Sequence, residues 1–434
     1  MLNKLISLAE KYFDEYEIYE MNYSVDGVSF ENRVLKEIES KIQTGISIRG
    51  IKDGKLAFAY TKNLLDPEEF IDNALASLKG EIEAGFSFPK KYDLPTLNTY
   101  DPNIEDITNT KLVEESKRVS EILYEKTNTQ INLGAGKGVV SVHILNSNGV
   151  DYQTKSSFYN IYAAAMYPGS YASVDRLIAD KKFKEFSKED IDYITLLFNN
   201  SKREVKPKGG RMKVLFLPDT MYVLIWRLVS ATCGRNIYEK TSPLINRLGE
   251  KIFDSSLTIY DDPLNDDFPD ARSFDDEGVA CRFLPIVEDG VLKNFYYDLY
   301  YAAKLNTEST GHGYREGDES IRERPSPSLH HLFVKPGKSN FYDMIKSMDK
   351  GVIVPSALGA HSGNILNGDF SIGLAPGLYV ENGEIVGHIK DSMAAGNIYE
   401  VMKNVVDIEN RVYLSNMGIF PSVIFENVSV AIKE

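Results

Sequence analysis

Cysteine is scarce in this sequence: Cys233 and Cys281 are the two among 434 residues, and no CxxC pair or Cys/His cluster occurs. A disulfide-stabilised secreted scaffold is therefore excluded, and a reducing compartment is indicated. Long apolar runs are also missing, since no segment approaches the roughly 18 uncharged apolar residues that span a membrane. The first ten residues already contain Lys4 and Glu10, which leaves no apolar core for a signal peptide. We expect a cytoplasmic protein with no membrane segment.

Basic residues are outnumbered: 49 lysines and arginines stand against 63 aspartates and glutamates, for a formal net charge of −14. Nucleic-acid binding depends on positive side chains that neutralise phosphates. The densest basic stretch, residues 202–213, contains Pro207 and the pair Gly209-Gly210, so it is typical of a solvated linker. We therefore expect no nucleic-acid partner.

What is present is typical of a globular protein, with 43% hydrophobic and 26% charged residues. Asx-Gly pairs lie between segments of alternating apolar residues, and such pairs favour the tight turns of β-hairpins. They are Asp53-Gly54, Asn148-Gly149, Asp289-Gly290 and Asn382-Gly383. Segments with helical spacing and capping residues lie between these hairpins. The mixture predicts an α+β fold built on antiparallel sheets.

The chain divides into three predicted regions. Residues 1–100 and 101–206 each combine helix and hairpin signals, which predicts two N-terminal α+β subdomains. Residues 207–434 form a larger, strand-rich C-terminal domain. Within it, residues 219–233 are apolar nearly all round, a pattern typical of an interior helix, and Gly234 is its natural end.

The sequence contains no clear catalytic or ligand-binding motif. The segment Gly134 to Gly138 resembles a phosphate loop but lacks its GK[ST] ending, so we interpret it as a flexible turn. Residues 261–277 hold eight carboxylates without the spacing of a calcium loop, which favours a solvated acidic loop. None of the six histidines belongs to a zincin motif, and the adjacent His330 and His331 have diverging side chains.

Several segments, taken in order, resemble the TldD/PmbA family, whose members were once named modulators of DNA gyrase. Each segment is weak by itself, but the ordered set covers the chain from about residue 25 to its end. The segments are residues 39–54 with ESKIQTGISIR, residues 242–251 with SPLINRLGEK, residues 310–315 with TGHGYR, residues 368–373 with GDFSIG, and residues 380–397 beginning VENGEI.

The family has two branches. TldD-like members are similar to zinc metallopeptidases, with an HExxxH motif on the central helix and a later cysteine ligand. PmbA-like members, also called TldE, lack the motif and pair with a TldD subunit. With Gly234 on the family glycine, Ser230 and Arg235 occupy the two histidine positions and Ala231 occupies the glutamate position.

These three residues are unsuited to binding a catalytic zinc ion. Serine is a weak ligand, alanine cannot act as a general base, and a permanent arginine charge repels the cation. The tail from Ser415 to Ser422 contains no cysteine. The resemblance therefore implies the PmbA/TldE branch, with no catalytic residue and no metal site in this chain.

The resemblance implies a catalytically silent subunit of a cytoplasmic metallopeptidase complex that degrades unfolded peptides. It would form a heterodimer with a TldD-like subunit that holds the zinc, and alone it could form a homodimer. Exposed strand edges can bind extended peptides. We name four candidates that line a peptide chamber, His361, Asp369, Ser371 and Tyr379, although Asp369 and Ser371 are equally suited to fixing a turn.

Two other functions stay open at this point. A self-sufficient metallopeptidase could use unrecognised ligands such as His312, His361 and Asp369. A homo-oligomeric peptide-binding protein without an enzymatic partner is the second alternative.

Overall fold

The computed structural model describes residues 1–315, 320–415 and 417–433. No helix in these ranges is long and apolar enough to cross a bilayer. Single 3₁₀ turns cover Leu78–Gly80, Pro102–Ile104 and Ser320–Arg322. The α-helices are α1 (Leu2–Tyr12), α2 (Pro67–Ser77), α3 (Asn109–Thr127), α4 (Lys188–Asn200), α5 (Pro218–Thr232), α6 (Gly234–Tyr238), α7 (Leu299–Lys304), α8 (Phe341–Lys346) and α9 (Ile398–Val401).

The strands fall into an N-terminal and a C-terminal group. The first group is β1 (Glu15–Glu31), β2 (Val34–Lys52), β3 (Lys55–Thr61), β4 (Ile131–Asn146), β5 (Asp151–Met166) and β6 (Ser173–Asp180). The second group is β7 (Gly210–Phe216), β8 (Ile259–Asp261), β9 (Leu284–Glu288), β10 (Val291–Leu292), β11 (Gly313–Tyr314), β12 (Ser326–Pro327), β13 (Leu332–Val334), β14 (Lys350–Val354), β15 (Ala357–Leu358), β16 (Asp369–Leu374), β17 (Gly377–Glu381), β18 (Glu384–Ile389), β19 (Ser392–Asn397), β20 (Val405–Ile408), β21 (Tyr413–Ser415), β22 (Gly418–Phe420) and β23 (Val423–Ile432).

The N-terminal strands form one antiparallel sheet in the order β3-β2-β1-β4-β5-β6. Two pairs of helices pack against this sheet. Helices α1 and α2 contribute to one hydrophobic cluster, and helices α3 and α4 contribute to another. Because β1 pairs with β4 along nearly its whole length, the sheet is continuous across the predicted boundary at residue 100. The division into residues 1–100 and 101–206 stays a prediction, but both regions contribute strands to the same sheet.

The C-terminal strands form a nine-stranded sheet, in the order β15-β16-β19-β23-β7-β14-β17-β18 with β20 beside β23, and a smaller sheet in the order β10-β9-β8-β13-β22-β21. The last three residues of β7, residues 214–216, are consecutive, apolar and buried. Val214 and Phe216 face the core around α5, while Leu215 faces the cluster that contains α3 and α4. A strand buried on both faces needs apolar residues at every position.

Most element predictions are confirmed. The α+β class with antiparallel sheets is confirmed, and hairpin turns occur at the four Asx-Gly pairs named above, each with a glycine of positive φ. The interior helix predicted over 219–233 is α5, displaced by one residue.

The glycine segment predicted as a flexible turn is wrong, because Gly134 to Gly138 lie inside β4. A Cβ atom at Gly138 would lie 2.7 Å from the Ser24 carbonyl oxygen and 2.6 Å from the Phe158 ring. Glycine is required there by the close approach of neighbouring strands, not by a turn.

Candidate functional site

The central helix is interrupted at the positions that the family resemblance singles out. α5 ends at Thr232, Cys233 is extended, with φ −66° and ψ 128°, and α6 begins at Gly234. The Gly234 N–H donates to the Tyr296 carbonyl at 2.9 Å. A Cβ atom at Gly234 would lie 2.4 Å from the Tyr297 ring and 2.9 Å from that carbonyl oxygen, so this break requires glycine.

The three residues at the family zinc positions lie on both sides of this break. The Ser230 carbonyl accepts a hydrogen bond of 2.7 Å from the Asn236 side-chain amide. Ala231 is fully buried. The Arg235 guanidinium is exposed and lies 5.7 Å from the centre of the Tyr301 ring, a cation–π distance.

This donor set does not fit zinc. A hydroxyl, a methyl group and a guanidinium provide neither imidazole nor carboxylate ligands, and the guanidinium carries a positive charge into the place of the cation. Across residues 1–315, 320–415 and 417–433, no three side chains of histidine, cysteine, aspartate or glutamate are grouped so that they could hold a metal ion.

Two cavities adjoin the break. The arginine cavity, of about 720 Å³, is lined among others by Arg49, Arg235, Asp298, Tyr301 and Arg324. The histidine cavity, of about 480 Å³, is lined among others by Trp226, Val229, Asp270, Tyr296, His331 and Met417. The chain from residue 325 to 332 contributes to both, and the tail strands β21 and β22 contribute to the second.

A buried ion cluster supports the arginine cavity. Arg49 on β2 donates from Nη1 to Glu277 Oε1 at 2.7 Å and from Nε to Glu17 Oε1 at 3.0 Å, and all three residues are buried. Burial alone would lower the pKa of Arg49, but the two carboxylates outweigh it and raise that pKa. Arg49 is therefore a fixed cation that joins the N-terminal sheet to the C-terminal half.

The prediction of a solvated acidic loop over residues 261–277 is wrong for its key members. Asp261, Asp275, Asp276 and Glu277 are buried. Their oxygens are used: Asp275 accepts from the Gly313 N–H at 2.8 Å, and Asp276 pairs with Arg272 at 2.7 Å. The carboxylates are structural acceptors inside the protein.

The histidine cavity contains an unpaired buried side chain. His331 is 2% exposed, and neither of its ring nitrogens has a hydrogen-bond partner among the residues that the structure describes. Its backbone is fixed, because the His331 N–H donates to Asp261 Oδ1 at 2.9 Å. Burial lowers the pKa of His331, so the ring is neutral near pH 7.

The predicted peptide-binding residues do not share one surface. His361 is exposed in a turn, Asp369 and Ser371 lie on β16, and Tyr379 lies on β17, which β19, β23, β7 and β14 separate from β16. Asp369 accepts from the Asn397 side-chain amide at 2.9 Å. Tyr379 is buried in the core around α5. Their role in peptide binding stays a prediction.

Arg227 holds the segment that carries His361. This fully buried residue of α5 donates from Nε to the Asp369 carbonyl at 2.6 Å, and from Nη2 to the carbonyls of Ala360 at 3.0 Å and Ser362 at 2.9 Å. The sequence did not indicate this role of Arg227, because a single arginine in an apolar helix matches no recognisable motif.

The ligand trio of the self-sufficient metallopeptidase is not supported by the geometry. His312 is buried, and its ring nitrogens contact the Thr310 carbonyl at 2.9 Å and Asp261 Oδ2 at 3.2 Å. His361 is exposed in a turn, and Asp369 is turned to Asn397. His312 is thus a satisfied core histidine.

Two cavity features were missed in the sequence. Arg49 and Glu277 are 228 positions apart, and no local pattern pairs them. His331 offered one signal, a histidine directly before the apolar strand β13, but this did not reveal that its ring lacks partners.

Comparisons with family models and with named relatives match the same protein family. Two family models match: residues 16–78 fit PmbA/TldA metallopeptidase domain 1, and residues 209–432 fit the PmbA/TldA metallopeptidase C-terminal domain. An uncharacterized protein of Methanocaldococcus jannaschii is 30% identical over 98% of both chains. A metalloprotease PmbA homolog of Buchnera aphidicola is 25% identical over 93% of this chain and 90% of its own.

The fold is also found among solved structures. The crystal structure of TldE from Thermococcus kodakarensis aligns with a TM-score of 0.91 and 26% identity, over 99% of each chain.

Proposed function

This chain belongs to the PmbA/TldD family, and we propose that it is a PmbA/TldE-type subunit of a two-component metallopeptidase whose zinc is held by a TldD-like partner. The complex would act on unfolded peptides in the cytoplasm. One observation carries the proposal: the helix break at Cys233-Gly234 is intact, while Ser230, Ala231 and Arg235 provide no zinc ligands.

The N-terminal sheet supports the need for a protein partner. β3 pairs with β2 from Ile46 onward, so the outer edge of β2 over residues 34–45 has no neighbouring strand among the described residues. Apolar side chains are exposed along this edge, among them Ile38 and Ile42, the latter 81% exposed. Unpaired strand edges and exposed apolar patches favour association.

Reconstitution tests the proposal. The purified chain alone should not hydrolyse an unfolded peptide such as reduced, carboxymethylated insulin B chain. Addition of a purified TldD-like subunit should give hydrolysis that a chelator abolishes, at a higher rate than the partner alone. Chelator-sensitive hydrolysis by this chain alone would reject the silent role and support the self-sufficient peptidase.

The edge of β2 provides the matched variants. Replacing Ile38 and Ile42 by lysine should weaken complex formation, measured by light scattering after size exclusion, because the lysines desolvate poorly in an interface. Replacing Tyr171, which is fully exposed on the turn between β5 and β6 at the opposite edge of the sheet, by lysine should leave the complex intact. A stable homodimer that no TldD-like subunit displaces or activates would favour the scaffolding alternative.

A further inference from the structure

The histidine cavity has apolar walls of a size suited to one small ligand. Trp226 and Val229 reach it from α5, Leu329 from the segment before β13, and Leu414 and Met417 from the tail. Its volume of about 480 Å³ falls in the range of ligand pockets, which typically combine apolar walls with a few polar groups.

His331 provides an unused hydrogen-bonding group in this wall. Its ring lies 5.6 Å from the Phe333 ring and 6.5 Å from the Phe268 ring, which fixes its position. A neutral imidazole offers one donor and one acceptor nitrogen, and here neither nitrogen meets a partner within residues 1–315, 320–415 and 417–433. Buried polar groups are normally paired, so the exception calls for an explanation.

The remaining polar side chains of the wall include a single acidic group. Asp270 is the one carboxylate among the described lining residues, and no lysine or arginine is among them. His330 also lines the cavity, and burial lowers its pKa to about 4, so its ring is uncharged at neutral pH. The wall therefore suits a cation attached to an apolar group, whereas a carboxylate or phosphate would meet no lysine or arginine among the described lining residues.

We propose that the histidine cavity binds the amino-terminal residue of a peptide. Its apolar side chain packs against Trp226 and Met417, and its α-ammonium group donates hydrogen bonds to Asp270 and His331. The proposal rests on the proposed function in one respect, that peptides are the ligands of this family member.

The experiment uses the single tryptophan of the chain, Trp226, which lines this cavity. Leucyl-alanyl-alanine amide is titrated into the full-length protein while tryptophan emission is recorded. We expect a saturable change, and we expect N-acetylation of the same peptide to weaken binding about tenfold or more, because it removes the charge. Equal affinity for the two peptides, or no saturable change with either, would overturn the proposal.

Two substitutions locate the ammonium group. His331→Phe keeps the ring but removes its nitrogens, and Asp270→Asn keeps a side chain that tolerates the local φ of 69°. Each should weaken binding of the free peptide by about tenfold while leaving the acetylated peptide unaffected. Asp267→Asn, on the same loop and outside the lining, is the control and should change nothing.

The outcomes separate this inference from the proposed function. The titration needs no partner subunit, whereas the reconstitution needs one. Unchanged affinity in both variants with intact circular dichroism refutes the cavity assignment alone. If a variant fails to fold, the comparison of free and acetylated peptide binding to the unaltered chain still tests whether the cavity binds an α-ammonium group.

Discussion

At the scale of single residues, Asp298 shows how burial changes the chemistry of a helix cap. Its Oδ1 accepts the Tyr301 N–H at 2.8 Å at the start of α7, as an exposed capping aspartate would. Burial, with the nearby charge of Glu277, raises the pKa of Asp298 to about 8. The side chain therefore carries a proton at neutral pH and lines the arginine cavity as a neutral acid.

This shift predicts a specific pH dependence. Between pH 4 and about 8 the folded state keeps a proton on Asp298 that the unfolded state has lost, so stability falls as pH rises, by roughly 1.4 kcal/mol per pH unit. Asp298→Asn keeps the cap without titrating. Urea unfolding at pH 5, 6, 7 and 8 should show the variant gaining stability relative to the natural chain as pH rises.

Asp66, the exposed cap of α2, is the matched control. Hydrogen bonds from the Glu69 and Glu68 backbone N–H groups lower the pKa of Asp66, so it is ionised in both states above pH 5. Asp66→Asn should shift the free energy of unfolding equally at all four pH values. Parallel pH profiles for Asp298→Asn and the natural chain would contradict the assignment of a protonated Asp298.

At the scale of elements, the interruption between α5 and α6 separates the residues of this helix pair that line the two cavities. It redirects the chain so that Arg235 enters the arginine cavity, while Trp226 and Val229 of α5 line the histidine cavity. Helix propensity explains the end of α5 only in part, since the contact with Tyr296 and Tyr297 is what excludes any side chain at Gly234.

The close contacts at Gly234 predict that adding one methyl group there destabilises the protein. Gly234→Ala should lower the free energy of unfolding by about 1–3 kcal/mol, because the new Cβ atom overlaps the Tyr297 ring and the Tyr296 carbonyl. Gly80→Ala is the control, since a Cβ atom there meets nothing within 4 Å, and it should change the free energy by less than about 0.5 kcal/mol. Similar changes in the free energy of unfolding for the two variants would show that the chain around Gly234 shifts to accommodate a Cβ atom.

At the scale of the whole molecule, a buried ion cluster connects the two halves. Arg49 of the N-terminal sheet pairs with Glu17 of the same sheet and with Glu277 of the C-terminal half. Arg315 adds a contact of 3.5 Å to Glu17. Because these charges are buried, each depends on the others for compensation.

Arg49→Met should therefore lower the free energy of unfolding by about 3–5 kcal/mol, since Glu277 would remain buried without its cation and Glu17 would keep only the 3.5 Å contact to Arg315. Lys55→Met, on the adjacent strand β3, removes an exposed pair with Glu81 and should cost at most about 1 kcal/mol. Guanidinium unfolding of the two variants checks this difference. Equal costs would mean that water reaches the cluster and solvates the carboxylates.

The sequence by itself determined the local elements of this protein. Asx-Gly pairs set the hairpin turns, Asp66 and Ser187 set helix starts, and the apolar run before Gly234 identified α5. Such signals are local because φ preferences, caps and side-chain periodicity act within a few residues.

The tertiary structure alone decided which polar residues are buried and what they contact. It placed Asp275 to Glu277 inside the protein, set Gly138 against a neighbouring strand, and left His331 unpaired in a cavity. Solvent exposure and charge pairing depend on chain segments far apart in sequence, as with Arg49 and Glu277 at 228 positions. A carboxylate-rich segment has the same composition whether water or arginine surrounds it, so composition could not distinguish the two.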